Sequence, residues 1–322
     1  MLELPMPTPR LLLAAVFAFV LMGASLVLFK LNGIQITSLS HQPAEETTQP
    51  TSTPPVSQPA AVLIGAGDIS SCSGDGDEKT AAIIESISGM VFTLGDNVYE
   101  KGTSEEFANC YTPTWGRFKE RTRPVAGNHD YLTKHASAYF SYFGDAAGNP
   151  EKGYYSYTAG SWKVVVLNTN CGEVGGCGVS SPQYRWLEGE LSGDQCVVAM
   201  MHHPRFNSGS EHGSTLALQP FWELFYQRGV ELALAGHEHL YERFSPLNSQ
   251  GAVDEEKGVR SITVGTGGKE LYKFGMPLPG SEVRNNSSYG VLKLTLDQQK
   301  YSWEFIPVLG ETFTDSGTGS CH

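Results

Sequence analysis

The chain has 322 residues, with 34 acidic against 22 basic side chains and a formal net charge of −12 at pH 7. No basic cluster or nucleic-acid motif is present, which excludes an affinity resting on polyphosphate backbones. A small phosphate ester stays open, because bound cations dominate the local field at a metal site.

The first sixty residues do not read as globular. Leu11 to Phe29 is a 19-residue run without a charged side chain, flanked by Arg10 and Lys30. That approaches the ~20 residues a bilayer-spanning helix needs, and the balanced flanking charges barely decide its orientation. Residues 1–30 are read as an uncleaved signal anchor rather than a cleaved signal peptide, whose apolar region is normally ~7–15 residues. Residues 31–60, rich in Pro, Thr, Ser and Gln from His41 to Pro59, cannot support a core and read as a disordered tether. Residues 61–322 are long enough for one well-buried domain. This organisation predicts a membrane-anchored, extracytoplasmic protein, or a secreted one if the leader is removed.

The domain opens on a strand, Ala61 to Ala66, followed by Asp68. Glu78 to Ser88 carries Ala81, Ala82, Ile83, Ile84 and Ile87 at helical spacing. The apolar run Met90 to Leu94 predicts a second strand that delivers Asp96 and Tyr99. A short helix is expected around Glu105 to Phe107. A third strand, Pro124 to Gly127, leads to Asn128, His129 and Asp130. Tyr131 to Tyr157 reads as loop. Trp162 to Leu167 is continuously apolar, as in a strand covered on both faces. Ser181 and Pro182 open a helix as N-cap and first residue, with Tyr184, Trp186, Leu187 and Leu191 following. The strand Cys196 to Met201 leads to His202 and His203. A helix from Phe221 to Gln227 precedes the strand Leu232 to Ala235, which leads to His237 and His239. Beyond Tyr241 only strands are expected, at Ser261 to Val264, Tyr289 to Leu296 and Tyr301 to Val308. Strand–helix alternation followed by strands predicts a layered α/β fold with two packed mixed β-sheets flanked by helices.

Six cysteines suit an oxidising compartment. Cys171 and Cys177 bracket a glycine-rich loop and are expected to pair. Cys72 with Cys110 is a second expectation among fifteen possible connectivities, and Cys196 stays open as a buried free thiol.

The informative pattern is the repetition of one arrangement, in which an apolar strand ends and a metal-capable residue follows at once. In α/β sheets ligands bind outside the carboxyl ends of the strands. Asp68 or Asp96 alone reads as a turn carboxylate, and His202 or His203 alone as a polar strand end. On five successive strand ends, together, they predict two metal ions with Asp96 between them. Such a pair, ~3.5–4 Å apart, suits phosphate-ester hydrolysis, among the slowest of uncatalysed reactions.

The series Asp68, Gly95-Asp96-Asn97-Val98-Tyr99, Gly127-Asn128-His129-Asp130, Met201-His202-His203-Pro204 and Gly236-His237-Glu238-His239 resembles the calcineurin-like metallophosphoesterase superfamily. Tyr99, three residues after Asp96, and the run Gly236 to Arg243 are similar to purple acid phosphatases. The resemblance covers about Ala61 to Val308. It implies one metal held by Asp68, Asp96, Tyr99 and His239, and a second held by Asp96, Asn128, His202 and His237. It implies Fe(III) with Zn(II), Mn(II) or Fe(II), the phenolate of Tyr99 being a hard anionic donor suited to the ferric ion. It further implies hydrolysis of phosphomonoesters by a metal-bound hydroxide. His129 would then stabilise the phosphoryl group and His212 would act as general acid, with His203 and Arg205 as candidate substrate contacts.

Two departures stand out. Ser70 occupies a position where the family usually has a turn-easing glycine, and the chain has no room for the amino-terminal β-sandwich of the large plant enzymes. The sequence leaves open a phosphodiesterase on the same site and a non-catalytic cell-surface metal-binding protein. It does not decide the oligomeric state.

Overall fold

The computed structural model describes residues 59–322. The expected anchor, and all but the end of the expected tether, lie outside the described residues. Among the described residues no helix is long and apolar enough to cross a membrane.

The elements run as follows. β1 (Ala61–Ala66), β2 (Ser70–Ser71), α1 (Gly76–Glu85), β3 (Met90–Thr93) and β4 (Val98–Tyr99) come first. A short turn, α2 (Ser104–Glu106), precedes β5 (Thr122–Arg123) and α3 (Ser137–Phe143). Next come β6 (Tyr155–Ala159), β7 (Trp162–Val166), α4 (Pro182–Glu190), β8 (Val197–Met200), α5 (Gln219–Arg228) and β9 (Leu232–Ala235). The last third is β10 (Tyr241–Phe244), β11 (Arg260–Val264), β12 (Ser281–Asn285), β13 (Gly290–Leu296), β14 (Lys300–Pro307) and β15 (Asp315–Ser320).

Two mixed sheets result. One has six strands in the order β15-β14-β13-β1-β3-β5, the other seven in the order β12-β10-β11-β9-β8-β7-β6. β1, β3 and β5 are mutually parallel, as are β7, β8, β9 and β11. Period-two alternation explains the layering. Val164, Val166, Val198, Met200, Leu232 and Leu234 pack in the core between the sheets. Their neighbours Val165, Val197, Ala199, Ala233 and Ala235 pack on the other side, against Leu187 of α4 and Phe221, Trp222 and Phe225 of α5. Both faces of these strands are therefore dry, as their unbroken apolar runs predict.

Ser181 caps α4 as expected, its side chain accepting from the Tyr184 amide, with Pro182 at the first turn. Two expectations need correction, and the open question of Cys196 is answered. The third strand stops at Arg123, because Pro124 has no N–H to give the ladder. The stretch read as loop holds α3, with Tyr139, Phe140 and Phe143 buried, and the start of β6, which pairs with β7. Cys196 is not a free thiol; it pairs with Cys321, 125 residues on. The other two disulfides join Cys72 to Cys110 and Cys171 to Cys177.

Candidate metal centre

The chain segments that follow β1, β3, β5, β8 and β9 meet at one rim. The Asp68 amide donates to Gly95 O (3.0 Å), the Gly236 amide to His202 O (2.9 Å) and the Gly67 amide to Val264 O (2.8 Å), which stitches the ends of both sheets together. Asp68, Asp96 and His237 all have positive φ, at 61°, 47° and 69°. That region costs a non-glycine residue of order 1–3 kcal/mol and persists where the surroundings over-determine it. Here it turns three side chains sharply off their strands towards a common point. Ser70 has no need of the glycine's freedom, because Asp68 takes the turn; Ser70 sits extended in β2, paired with Val98.

Two glycines let the loops approach closely. A Cβ at Gly127 would lie 2.1 Å from both the backbone N and Oδ1 of Asp96, and one at Gly95 2.4 Å from His202 Nδ1.

The polar atoms fall into two groups that share Asp96. Tyr99 Oη lies 2.9 Å from Asp68 Oδ1, 3.0 Å from Asp96 Oδ2 and 3.0 Å from His239 Nε2. His202 Nε2 lies 2.9 Å from Asn128 Oδ1, 3.2 Å from His237 Nδ1 and 3.4 Å from Asp96 Oδ2. The inward-facing nitrogens are fixed from behind: Nδ1 of His202 bonds Leu94 O (2.8 Å) and Nδ1 of His239 bonds Glu270 O (2.8 Å). Such backbone partners are the usual means of orienting a ligating imidazole.

Electrostatically the two carboxylates of the cluster are faced by imidazoles. Among the described residues no Lys or Arg hydrogen-bonds to Asp68 or Asp96, though both are buried. Burial pushes the Asp96 carboxyl up, but the charge of His202 beside it wins and holds it well below the usual range. His202 answers: burial lowers it, yet Asp96 pushes it up to about 9. Burial and the neighbouring imidazoles His202, His203 and His212 hold His237 well below its ordinary value, and His203 is pushed down to about 3 by burial and His202. Burial, then the charges of Asp68 and Asp96, push the Tyr99 phenol well up. Two buried carboxylates, imidazoles and a phenol facing them are a donor set that fits metal ions, and bound cations invert the logic that keeps the phenol protonated. Asp68, Asp96 and His202 offer ligand atoms within 4.8 Å of one another, and His202, His203 and His237 do so as well.

The remaining candidates divide. His129 donates its amide to Asp96 Oδ1 (2.8 Å) and bonds Glu100 O through Nδ1 (2.6 Å). His203 Nδ1 lies 2.8 Å from Thr169 Oγ1, which also accepts the His203 amide (3.0 Å). The His212 ring stacks on His237, centroids 4.3 Å apart. Arg205 is not brought into the cluster: Nε and Nη2 both donate to Gln219 Oε1 on α5 (2.8 and 2.6 Å), and the guanidinium lies over Phe206.

Several further residues support the centre: Asp130, which stands in the sequence motif without an assigned role, and Thr169, Lys269 and Tyr272. Asp130, pushed up to about 7 by burial and then by Asp96, accepts from the Gly127 amide (2.8 Å) and Asn97 Nδ2 (2.9 Å), fixing the turn behind Asp96. Tyr272 stacks on His239 at 3.9 Å, and Lys269 lies over the Tyr99 ring at 4.9 Å. Thr169, Lys269 and Tyr272 are distant in sequence from the residues they support, and no motif spacing marks them.

The layered fold and this donor set define the class. Residues 59–241 match the family model described as calcineurin-like phosphoesterase, and the chain belongs to that family. Within it the chain is similar to purple acid phosphatases. It is 27% identical over 231 residues to a probable purple acid phosphatase 20 of Arabidopsis thaliana, covering 62% of this chain and 52% of that one. It is also 27% identical over 222 residues to the Fe(3+)-Zn(2+) purple acid phosphatase 12 of the same plant, covering 55% and 44%. In fold it resembles the purple acid phosphatase PPD1 from yellow lupin seeds, with a TM-score of 0.66, 21% identity, and coverage of 81% of this chain and 54% of that one. The chain thus spans about half the length of the curated relatives it matches.

Proposed function

We propose that the chain is a binuclear-metal phosphatase that hydrolyses small phosphomonoesters. The carrying observation is Asp96, whose Oδ2 faces both donor groups, 3.0 Å from Tyr99 Oη and 3.4 Å from His202 Nε2. In this reading Asp68, Asp96, Tyr99 and His239 hold one ion, and Asp96, Asn128, His202 and His237 the other. The phenol oxygen favours a ferric ion at the first position, and the relative named for an Fe(3+)–Zn(2+) pair supports Zn(II), with Mn(II) or Fe(II) as the other fitting partners. Bound ions supply Lewis acidity and an activated water at neutral pH.

The chain's own groups do the rest. Thr169 Oγ1 already accepts the His203 amide, so its hydroxyl proton is available to His203 Nδ1. Nε2 is then the protonated nitrogen of a neutral ring, able to donate to a phosphoryl oxygen. His129 spends Nδ1–H on Glu100 O, so Nε2 is the nitrogen left to meet a phosphoryl oxygen. His212, over His237, gives a proton to the leaving oxygen. Arg205 takes no part, its guanidinium being held by Gln219. Three disulfides favour an extracytoplasmic or secreted location.

The test compares hydrolysis of an aryl phosphate monoester and the matching diester by the full chain loaded with iron and zinc or manganese. A large monoester preference, lost in Asp96→Ala, is expected. A diester preference would make the same site a phosphodiesterase. Turnover of neither ester by the loaded protein would reject hydrolysis in favour of a metal-binding role.

A further inference from the structure

Glu238 lies between two of the proposed ligands, His237 and His239, yet it points away from them. Its carboxylate is fully buried. Oε1 accepts the amide of His212 at 2.6 Å and also that of Gly213. Among the described residues Oε2 has no hydrogen-bond partner. The loop leaves no spare space at this contact, since a Cβ on Gly209 would stand 2.3 Å from Glu238 Cδ. Four residues on, the buried Glu242 accepts the Ser208 amide at 2.7 Å. The far side of the loop is tied to the 273–275 segment, with the Ser210 amide on Lys273 O (2.9 Å) and the Gly275 amide on Ser208 O (2.7 Å). One short run thus supplies two imidazoles to the centre and two carboxylates to the loop that carries a third.

We infer that Glu238 is a positioning residue, whose carboxylate holds the amides of His212 and Gly213 and so sets the His212 ring over His237. Its catalytic consequence rests on the reading of His212 as the general acid. A carboxylate accepting two backbone amides makes charge-assisted bonds, and without it the 207–213 loop is held at its 207–210 end, by Thr263, Glu242, Leu278 and the 273–275 segment, and no longer at the His212 and Gly213 amides. The ring would then sample positions away from the leaving oxygen. The titratable groups around the ring are His237, His203, Tyr272 and Glu238 itself.

The experiment compares the metal-loaded full chain with Glu238→Ala, Glu238→Gln, His212→Ala and the double variant Glu238→Ala/His212→Ala. Two readouts are taken: amide hydrogen exchange over residues 207–213, and kcat and KM against pH on an aryl monoester, with metal content measured alongside. Glu238→Ala is expected to lose exchange protection at His212 and Gly213 and to lower kcat about 10- to 100-fold, less than the ~10²–10⁴-fold a general acid contributes, because the acid is misplaced and not removed. KM and metal content stay near those of the parent. Glu238→Gln, which keeps an acceptor oxygen, restores most of both readouts, and the double variant is no slower than His212→Ala. Unchanged protection in Glu238→Ala, losses that multiply in the double variant, or loss of metal in Glu238→Ala would each overturn the inference. If the parent turns over no ester, the phosphatase reading fails by itself, and the exchange data still decide whether Glu238 holds the loop.

Discussion

Tyr99 carries the sharpest residue-level consequence. Its hydroxyl sits about equally far from Asp68, Asp96 and His239, a position that suits a metal ligand better than a core tyrosine, which would need only one partner. Iron-loaded Tyr99→Phe is expected to lose the visible charge-transfer band; an unchanged absorption spectrum would remove Tyr99 from the metal shell. Gly127 makes a second prediction. The added methyl of Gly127→Ala would meet the backbone N and Oδ1 of Asp96 at 2.1 Å, and a backbone atom cannot swing aside as a long side chain can. The variant should stay folded by circular dichroism while losing at least half its bound metal and more than ~100-fold in kcat; full metal content would contradict this. These residues differ in how far the sequence disclosed them. Tyr99 was legible from its place three residues after Asp96. Gly127 was legible only as part of a motif, since its role is the space it leaves. Glu238 stood inside a recognised run, but its partners are amides 25 or more positions away, and no spacing rule reaches them.

At the scale of elements, the parallel strands were legible because they are dry on both faces and end in chemistry. The edge strands were not. β12 (SEVRN) and β15 (DSGTGS) lack an apolar stripe. β15 is instead held by Gly317 and Gly319, where a Cβ would come within 2.3 Å of the Trp303 and Tyr301 rings that cover them. The end of the seven-stranded sheet away from the candidate metal centre makes an independent prediction. Glu231, just before β9, is 3% exposed and accepts the amide of Val197 at the start of β8 (2.9 Å) and that of His322 (3.4 Å). Burial raises its carboxyl from the ordinary 4.5 to about 7, against the pull of those amides. Between these two values the folded chain keeps a proton that the unfolded chain has released. Glu231 therefore favours folding most below about pH 4.5, and that contribution falls as pH rises through about 7. The loss is up to about 3 kcal/mol, at ~1.4 kcal/mol per pKa unit. Glu231→Gln should flatten the difference in urea midpoint between pH 5 and pH 7.5 relative to the parent chain. Identical pH dependence in the two proteins would show that Glu231 does not titrate in that window.

For the whole molecule, two sheets of six and seven strands place their parallel strand ends at one rim, so ligands from both halves of the chain meet without a long loop between them. This explains how residues spread from Asp68 to His239 form one centre, and why the order of strand ends along the sequence was enough to find it. The net charge of −12 makes bound cations more important for an anionic ester, since among the described residues no Lys or Arg pairs with Asp68 or Asp96. The most direct test of a shared two-metal centre is the metal stoichiometry of the purified full chain by elemental analysis, with Asp96→Ala beside it. Two ions per chain, falling below one in the variant, are predicted, because both donor groups lose the same carboxylate. A single ion in the parent chain, or two ions that survive the loss of Asp96, would contradict a centre bridged by Asp96.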